Sequence, residues 1–260
     1  MQSINLTNTN VAKISTLLNL CPDTFIYAPF KIFKDEEGKS FASIETTDVN
    51  NSIVFSGRVA IDSIDELNPG EGTVIRLPLN NSVINTVFNP AFETVNIGSN
   101  RIVAKNDNKK ITVALYEVID DSIIDLPYTN NEIFELTTEC KNLGKVEYEQ
   151  FDLTAEEIKN ILDCLNILVK PENMMFNCNG KNVIVSSGDY SGNDVEYKLN
   201  KEISHKFASK FNMIMMLKIL PKLSKCKDFD INMLICKYLA AITIKNDDVL
   251  ATIGIPVAQD

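Results

Sequence analysis

The 260-residue chain contains no tryptophan and a single histidine, His205. One imidazole leaves at most one base for a Ser-His relay and excludes a multi-histidine metal site. His205 stands in Ser204-His205-Lys206-Phe207, which reads as the first turn of a helix, where a polar residue needs no catalytic explanation. The six cysteines, Cys21, Cys140, Cys164, Cys178, Cys226 and Cys236, include no Cys-x-x-Cys. A zinc ribbon or dithiol redox motif therefore has no support. Most of them lie in apolar patterns and read as small core residues of a reducing compartment. The ten glycines are scattered singly, and neither G-x-x-x-x-G-K-[ST] nor G-x-G-x-x-G occurs, so the backbones that cradle nucleotide phosphates are missing. No apolar run approaches the ~20 residues of a helical membrane span. Met1-Gln2-Ser3-Ile4-Asn5 has neither the basic region nor the apolar core of a secretory leader. The expectation is a soluble protein that stays where it is made, binds no metal or cofactor, and is not an enzyme.

Arginine is scarce too: Arg58, Arg76 and Arg101 are the only three among 25 bases, against 35 acids, for a net charge of −10. That balance excludes a small basic DNA-binding module. It still allows nucleic-acid contact where positive charge is gathered in one place. The charge is indeed segregated. Residues 117–163 hold 13 acids and 3 lysines, and residues 196–227 hold 8 lysines against Glu196 and Glu202. Within the basic segment, 204–220 reads as a helix with Phe207, Phe211 and Ile214 on one face and Lys206 and Lys210 on another. No aromatic residue is interleaved with these lysines, which points to sequence-neutral contact with backbone phosphates rather than base stacking.

The chain also repeats itself. Residues 4–20 lie on 151–167 at a constant offset of 147, so that Thr7 meets Thr154, Val11 meets Ile158, Ile14 meets Ile161 and Leu18 meets Leu165. That apolar spacing is one face of a helix. Thr154 with Glu157 predicts a capping box, of which Thr7 and Asn10 supply only the first half. Residues 102–115 lie on 242–255 at an offset of 140, both reading as strand, Asn-Asp turn, strand. Gly38-Lys39 before Phe41 matches Gly180-Lys181 before Val183. With a second helix expected at 79–88 and at 204–220, each half reads helix, strands, helix, strand hairpin. The fold class is α+β, by duplication.

This order, the acidic total and the lysines on helices resemble the DNA sliding clamps, of the proliferating cell nuclear antigen and T-even phage type. The best local likenesses are FDLTAEEIKNILDCL (151–165), KFASKF (206–211), SIETTDV (43–49) and IGIPVAQ (253–259). The resemblance implies two clamp domains, 1–118 and 135–260, joined by a connector at 119–134, each with two helices packed on antiparallel sheets. It further implies a homotrimeric six-domain ring with helices lining the hole, and a processivity factor that holds duplex DNA without regard to sequence. DNA polymerase and a clamp loader would be its partners. The source would be a virus or phage, and the place the host cytoplasm or the site of viral DNA replication. A monomeric or dimeric scaffold of the same fold is the alternative.

Carried onto this chain, the resemblance places Lys13, Lys159, Lys206, Lys210 and Lys218 toward DNA. It places Val49, Ile124, Leu126, Tyr128, Pro256 and Val257 in a groove for partner peptides. The strand Ile111 to Glu117, with Val113 and Leu115, and the strand Asp194 to Asn200, with Val195, Tyr197 and Leu199, read as sheet edges whose unpaired backbone invites head-to-tail contact between copies. The expected second helix of the first half carries Asn81, Asn85 and Asn89 and no base, so that half offers polar rather than cationic contact.

Overall fold

The computed structural model describes residues 3–22, 27–47, 53–79, 86–98, 100–115 and 147–258. These fall into two compact units. Unit 1 holds the described residues up to 47 and from 55 to 115, together with Asp247–Ala251. Unit 2 holds residues 53–54, 147–246 and 252–258.

In chain order the elements of unit 1 are β1 (Ile4–Thr7), α1 (Asn8–Leu20), β2 (Tyr27–Lys34), β3 (Ser40–Thr47), β4 (Val54–Ile61), β5 (Gly72–Pro78), β6 (Thr94–Ile97), β7 (Arg101–Lys105) and β8 (Lys110–Ala114). Those of unit 2 are β9 (Tyr148–Leu153), α2 (Ala155–Leu165), β10 (Asn173–Asn179), β11 (Val183–Gly188), β12 (Asp194–Leu199), β13 (Lys206–Asn212), α3 (Met213–Leu223), β14 (Asp230–Cys236), β15 (Leu239–Lys245) and β16 (Val249–Pro256), the first three residues of β16 belonging to unit 1. In unit 1 the strands run β1-β6-β7-β8 and β5-β2-β3-β4; in unit 2 they run β9-β14-β15-β16 and β13-β10-β11-β12. Adding eight to every strand number of unit 1 gives unit 2. The duplication read from two helices and a hairpin therefore extends to the whole strand order.

The helices form where their apolar stripes allow. Val11, Ile14, Leu17 and Leu18 of α1 are buried, as are Ile158, Ile161 and Leu165 of α2. The Thr7 side chain accepts from the Asn10 N–H at the start of α1. At α2 the box is complete: Thr154 Oγ1 accepts from the Glu157 N–H at 3.1 Å, and the Thr154 N–H donates to the Glu157 carboxylate at 2.8 Å. Asn10 does something the pattern did not show. Its side chain is buried and locks onto the backbone of Asp62, accepting from the N–H at 2.7 Å and donating to the C=O at 3.4 Å.

The strand β3 alternates buried and half-buried residues throughout. The hairpin expected over 102–115 is present as β7 and β8, with Lys105 opposite Lys110 and Asn106 Oδ1 accepting from the N–H groups of Asn108 and Lys109. Its counterpart is the adjacent pair β15 and β16. Gly38 and Gly180 take φ of +85° and +80°, so both matched turns use the left-handed conformation that glycine adopts without strain.

One expectation is corrected. Residues 204–220 are not one helix: Lys206–Asn212 is the strand β13, and α3 begins at Met213. The phenylalanines misled because a spacing of four suits a strand of period two as well as a helix. Phe211 is fully buried, edge-on to Phe176 with ring centroids 5.6 Å apart, whereas Ile214, expected on the same face, is 64% exposed. The true start signal is Asn212, whose side chain accepts from the Ile214 N–H at 2.9 Å as an N-cap. His205 accordingly stands in a loop, not at a helix start. Of the helix expected at 79–88, residues 80–85 lie outside the described residues, as do Asn81 and Asn85.

The two caps should differ in energy. Thr154→Ala should destabilise the protein by about 1 kcal/mol, and Thr7→Ala by less, because only Thr154 takes part in a reciprocal box. Urea unfolding of both variants checks this, and a loss at Thr7 equal to or larger than that at Thr154 would show that the box adds nothing.

Candidate nucleic-acid face and partner groove

In unit 2, α2 and α3 pack together. Their outer surfaces present Glu156, Lys159 and Asp163 on α2, and Ile214, Leu217 and Lys218 on α3. Lys159 and Lys218 thus stand on exposed helix surface, interleaved with acids and apolar residues rather than gathered into a uniformly basic stripe.

Lys13 of α1 is placed differently. Its Nζ lies 3.4 Å from Asp62 and 3.5 Å from Asp248, and its side chain is three-quarters buried. Both acids belong to the same unit as Lys13, so its charge is already matched within the chain. The rest of the exposed side of α1 is Asn8, Thr9 and Asn19, without charge.

Lys206 and Lys210 share a face, as expected, but of a strand. They alternate on β13 with Ser209 and Phe211, which are buried, and so point away from the core. Lys210 lies opposite Met175 of β10 and lines an open cavity of about 440 Å³ together with Asp194 and Glu196. The basic segment 196–227 is therefore divided among an edge strand, a loop, a second strand and a helix.

That loop is held twice. Lys201 pairs with Glu157 at 2.8 Å. Burial raises the Glu157 pKa, but the bonds from Lys201 and Thr154 outweigh it and hold the carboxyl below its ordinary value. Further along, the buried Glu149 of β9 accepts the N–H groups of Ser204 at 2.7 Å and His205 at 2.5 Å, and its Oε1 lies 2.8 Å from His205 Nδ1. Burial, with the Glu149 charge added, pushes the neighbouring Cys178 thiol up to about 12, so this thiol stays protonated. The single histidine is thus a structural tie to an acid 56 positions away, a pairing no local pattern announces.

Two edge strands were expected, and both end their sheets among the described residues: β8 in unit 1 and β12 in unit 2. The side chains named for a subunit contact face inward instead. Leu199 and Leu115 are buried, Val113, Val195 and Tyr197 are half-buried, and Tyr197 Oη accepts from Asn160 of α2 at 3.4 Å. What the edges leave open is backbone. The turn feeding β12 is tightly built around Asp189, which accepts the N–H groups of Val169 and Ser191 at 2.9 Å and of Asn193 at 3.1 Å. The Val169 N–H bond leads in lowering the Asp189 pKa to about 2.

Of the expected groove, Val49, Ile124, Leu126 and Tyr128 lie outside the described residues. Pro256 is exposed and Val257 half-buried. The Val257 N–H donates to the Tyr238 C=O at 2.9 Å, and the Ala258 N–H to the Lys210 C=O at 2.7 Å. The end of the chain is thereby laid beside Tyr238, whose ring is 61% exposed. Sequence reasoning missed Tyr238; the clue was an aromatic residue between Lys237 and the apolar run of β15. Among the described residues no group of three or more His, Cys, Asp or Glu is placed to hold a metal ion, and no helix is long and apolar enough to cross a membrane.

No protein-family model matches the sequence, and no curated protein matches it. Solved structures do match the fold over its whole length. Proliferating cell nuclear antigen from Entamoeba histolytica superposes with a TM-score of 0.72 at 9% identity, covering 100% of both chains. The A. fulgidus proliferating cell nuclear antigen, solved with the C-terminal region of FEN-1 bound, gives 0.69 at 11% identity, again over 100% of both chains. The PCNA2-PCNA3 complex from Sulfolobus tokodaii gives 0.63 at 11% identity, covering 98% of this chain and 99% of the other. The duplicated α+β architecture is therefore that of the DNA sliding clamps. At this level of identity it is the fold, shared along the full chain, that the likeness establishes.

Proposed function

We propose that this chain is a DNA polymerase processivity clamp. Three copies would join head to tail into a six-domain ring around duplex DNA, with domains 1–118 and 135–260 and the connector 119–134. The observation that carries this reading is a mismatch in the strand pairing. In unit 1 the start of the last strand lies beside β4, with the Ala60 N–H donating to the Asp248 C=O at 2.9 Å. By the shift of eight, the counterparts of β4 and β16 are β12 and β8, and among the described residues both stand at sheet edges, as β1, β5, β9 and β13 also do, whereas β4 and β16 do not. Pairing β12 of one copy with β8 of the next repeats a contact the chain already makes once, and a head-to-tail contact of this kind closes into a ring. Val113, Leu115, Val195, Tyr197 and Leu199 would support the joint from behind while the backbone makes it.

In this reading the helices face the duplex, and Lys159 and Lys218 make the phosphate contacts. Lys13, matched by two acids, contributes little, and Lys206 and Lys210 lie on the outward face of their sheet. So few cations give weak, salt-sensitive and sequence-neutral contact. That suits a ring that retains DNA by topology while it slides. Polymerase and other replication proteins, and a clamp loader, would be the partners, at the intracellular site of DNA replication. Their peptides would dock against Val49, Ile124, Leu126, Tyr128, Pro256 and Val257, with Tyr238 added from its place beside Val257. The reading assigns the chain no reaction of its own.

Sedimentation at micromolar protein should give the mass of a trimer; a monomer or dimer would favour the non-ring scaffold. Reversing Lys159 and Lys218 to Glu should shorten retention on nicked circular duplex DNA several-fold, and reversing Lys206 and Lys210 should matter much less. The opposite ranking would place the duplex against the sheet face instead. Leu126→Ala, Val257→Ala and Tyr238→Ala should each weaken binding of a peptide from the cognate polymerase by roughly 1–2 kcal/mol, the usual cost of truncating an interface anchor. Equal affinities by calorimetry for wild type and all three would remove the groove assignment.

A further inference from the structure

Two of the chain's three arginines stand on the solvent side of one sheet in unit 1. Along β2, β3, β4 and β5 the alternate residues Phe30, Ile32, Ala42, Ile44, Val59 and Ile75 are buried. The opposite face carries Lys31, Phe33, Phe41, Arg58, Val74 and Arg76, of which the three bases are exposed and Phe33, Phe41 and Val74 half-buried. The registers make this one surface: Phe33 lies opposite Phe41 and Gly72, and Lys31 opposite Ser43 and Val74.

The aromatic rings order the cations. Phe33 and Phe41 are stacked with centroids 5.5 Å apart and planes at 25°. Lys31 Nζ lies 4.9 Å from the Phe33 centroid, and the Arg58 guanidinium 5.7 Å from that of Phe41. Neither Lys31 nor Arg58 makes an ion pair among the described residues. Their charges are held by ring faces, which orient a cation without neutralising it. Gly72 leaves the room this needs, since a Cβ there would fall 2.9 Å from Phe33 Cβ and 3.2 Å from Lys31 Cε. In a chain of net charge −10, the described part of this face carries Lys31, Arg58 and Arg76 against one acid, Glu45, and Lys31 and Arg58 are the two that the rings orient.

We propose that this sheet face docks a short, extended, acidic segment of a partner protein, one with two or three carboxylates and at least one apolar side chain. The charge of the face selects an anion. The planar fork of Arg58 matches a carboxylate bidentately, Lys31 supplies a second point charge, and Phe33, Phe41 and Val74 offer apolar area between them. Magnitude decides against nucleic acid. Three bases on an open face neutralise few phosphates, so counterion release gives little affinity where no ring retains the strand, and a long polyanion also meets the repulsion of the whole acidic chain. A short segment feels mainly the local charge. None of these residues is among those assigned to the peptide groove, and the proposal does not depend on ring closure.

The test uses the full chain and fluorescence anisotropy in low salt. The probes are a fluorescein-labelled twelve-residue peptide of Asp, Glu, Leu and Phe, the same peptide with Asn and Gln for the acids, and labelled dT20. The wild type should bind the acidic peptide at micromolar concentration and its amide version at least tenfold more weakly. Lys31→Glu with Arg58→Glu should weaken the acidic peptide at least tenfold. The milder pair Lys31→Met with Arg58→Gln should weaken it several-fold, with both variants shown folded by circular dichroism. No binding by wild type, or undiminished binding by both variants, overturns the proposal. So does dT20 binding that is tighter than the peptide's and lost in the variants, which would make the face a nucleic-acid surface.

Discussion

A strand at the edge of a sheet carries backbone N–H and C=O groups that its own sheet leaves without partners, and the whole organisation of this chain turns on how those edges are met. In unit 1, β4 is covered by the start of the last strand, through contacts such as Ala60 to Asp248. The repeated strand order makes β12 and β8 their counterparts, and both end their sheets among the described residues. The side chains beneath them are already committed to their own unit: Leu199 is buried and Tyr197 is tied to Asn160. Any joint between copies therefore rests on main-chain pairing, which is indifferent to side-chain identity. That indifference fits a fold that superposes along its full length at only 9–11% identity.

Electrostatics is handled locally rather than by a single field. Lys13 is matched by Asp62 and Asp248, Lys201 by Glu157, and the buried Glu149 by two backbone N–H groups and His205. What remains exposed on the helices is a sparse mixture in which Lys159 and Lys218 stand out. On the sheet of unit 1, by contrast, aromatic faces hold Lys31 and Arg58 without cancelling them. Counting charges along the sequence finds the basic segment 196–227 but cannot tell a spent cation from an available one. Availability depends on which acid lies within about 4 Å, and those acids are distant in sequence.

The sequence by itself determined the duplication, the two capped helices, the hairpins and the glycine turns. Each is encoded locally: Thr154 with Glu157, the stripe Ile158, Ile161 and Leu165, the turn residues Asn106 and Gly180. Only the tertiary structure decided that Lys206–Asn212 is a strand, because a phenylalanine spacing of four satisfies both periods and pairing with β10 breaks the tie. Only the tertiary structure placed Lys13 between two acids, gave His205 to Glu149, used Asn10 to hold Asp62, and set Tyr238 beside Val257. The physical reason is range. Caps, stripes and turns act within a few residues of the chain, whereas the fate of a charge or an exposed ring is set by neighbours that folding brings from tens to hundreds of positions away.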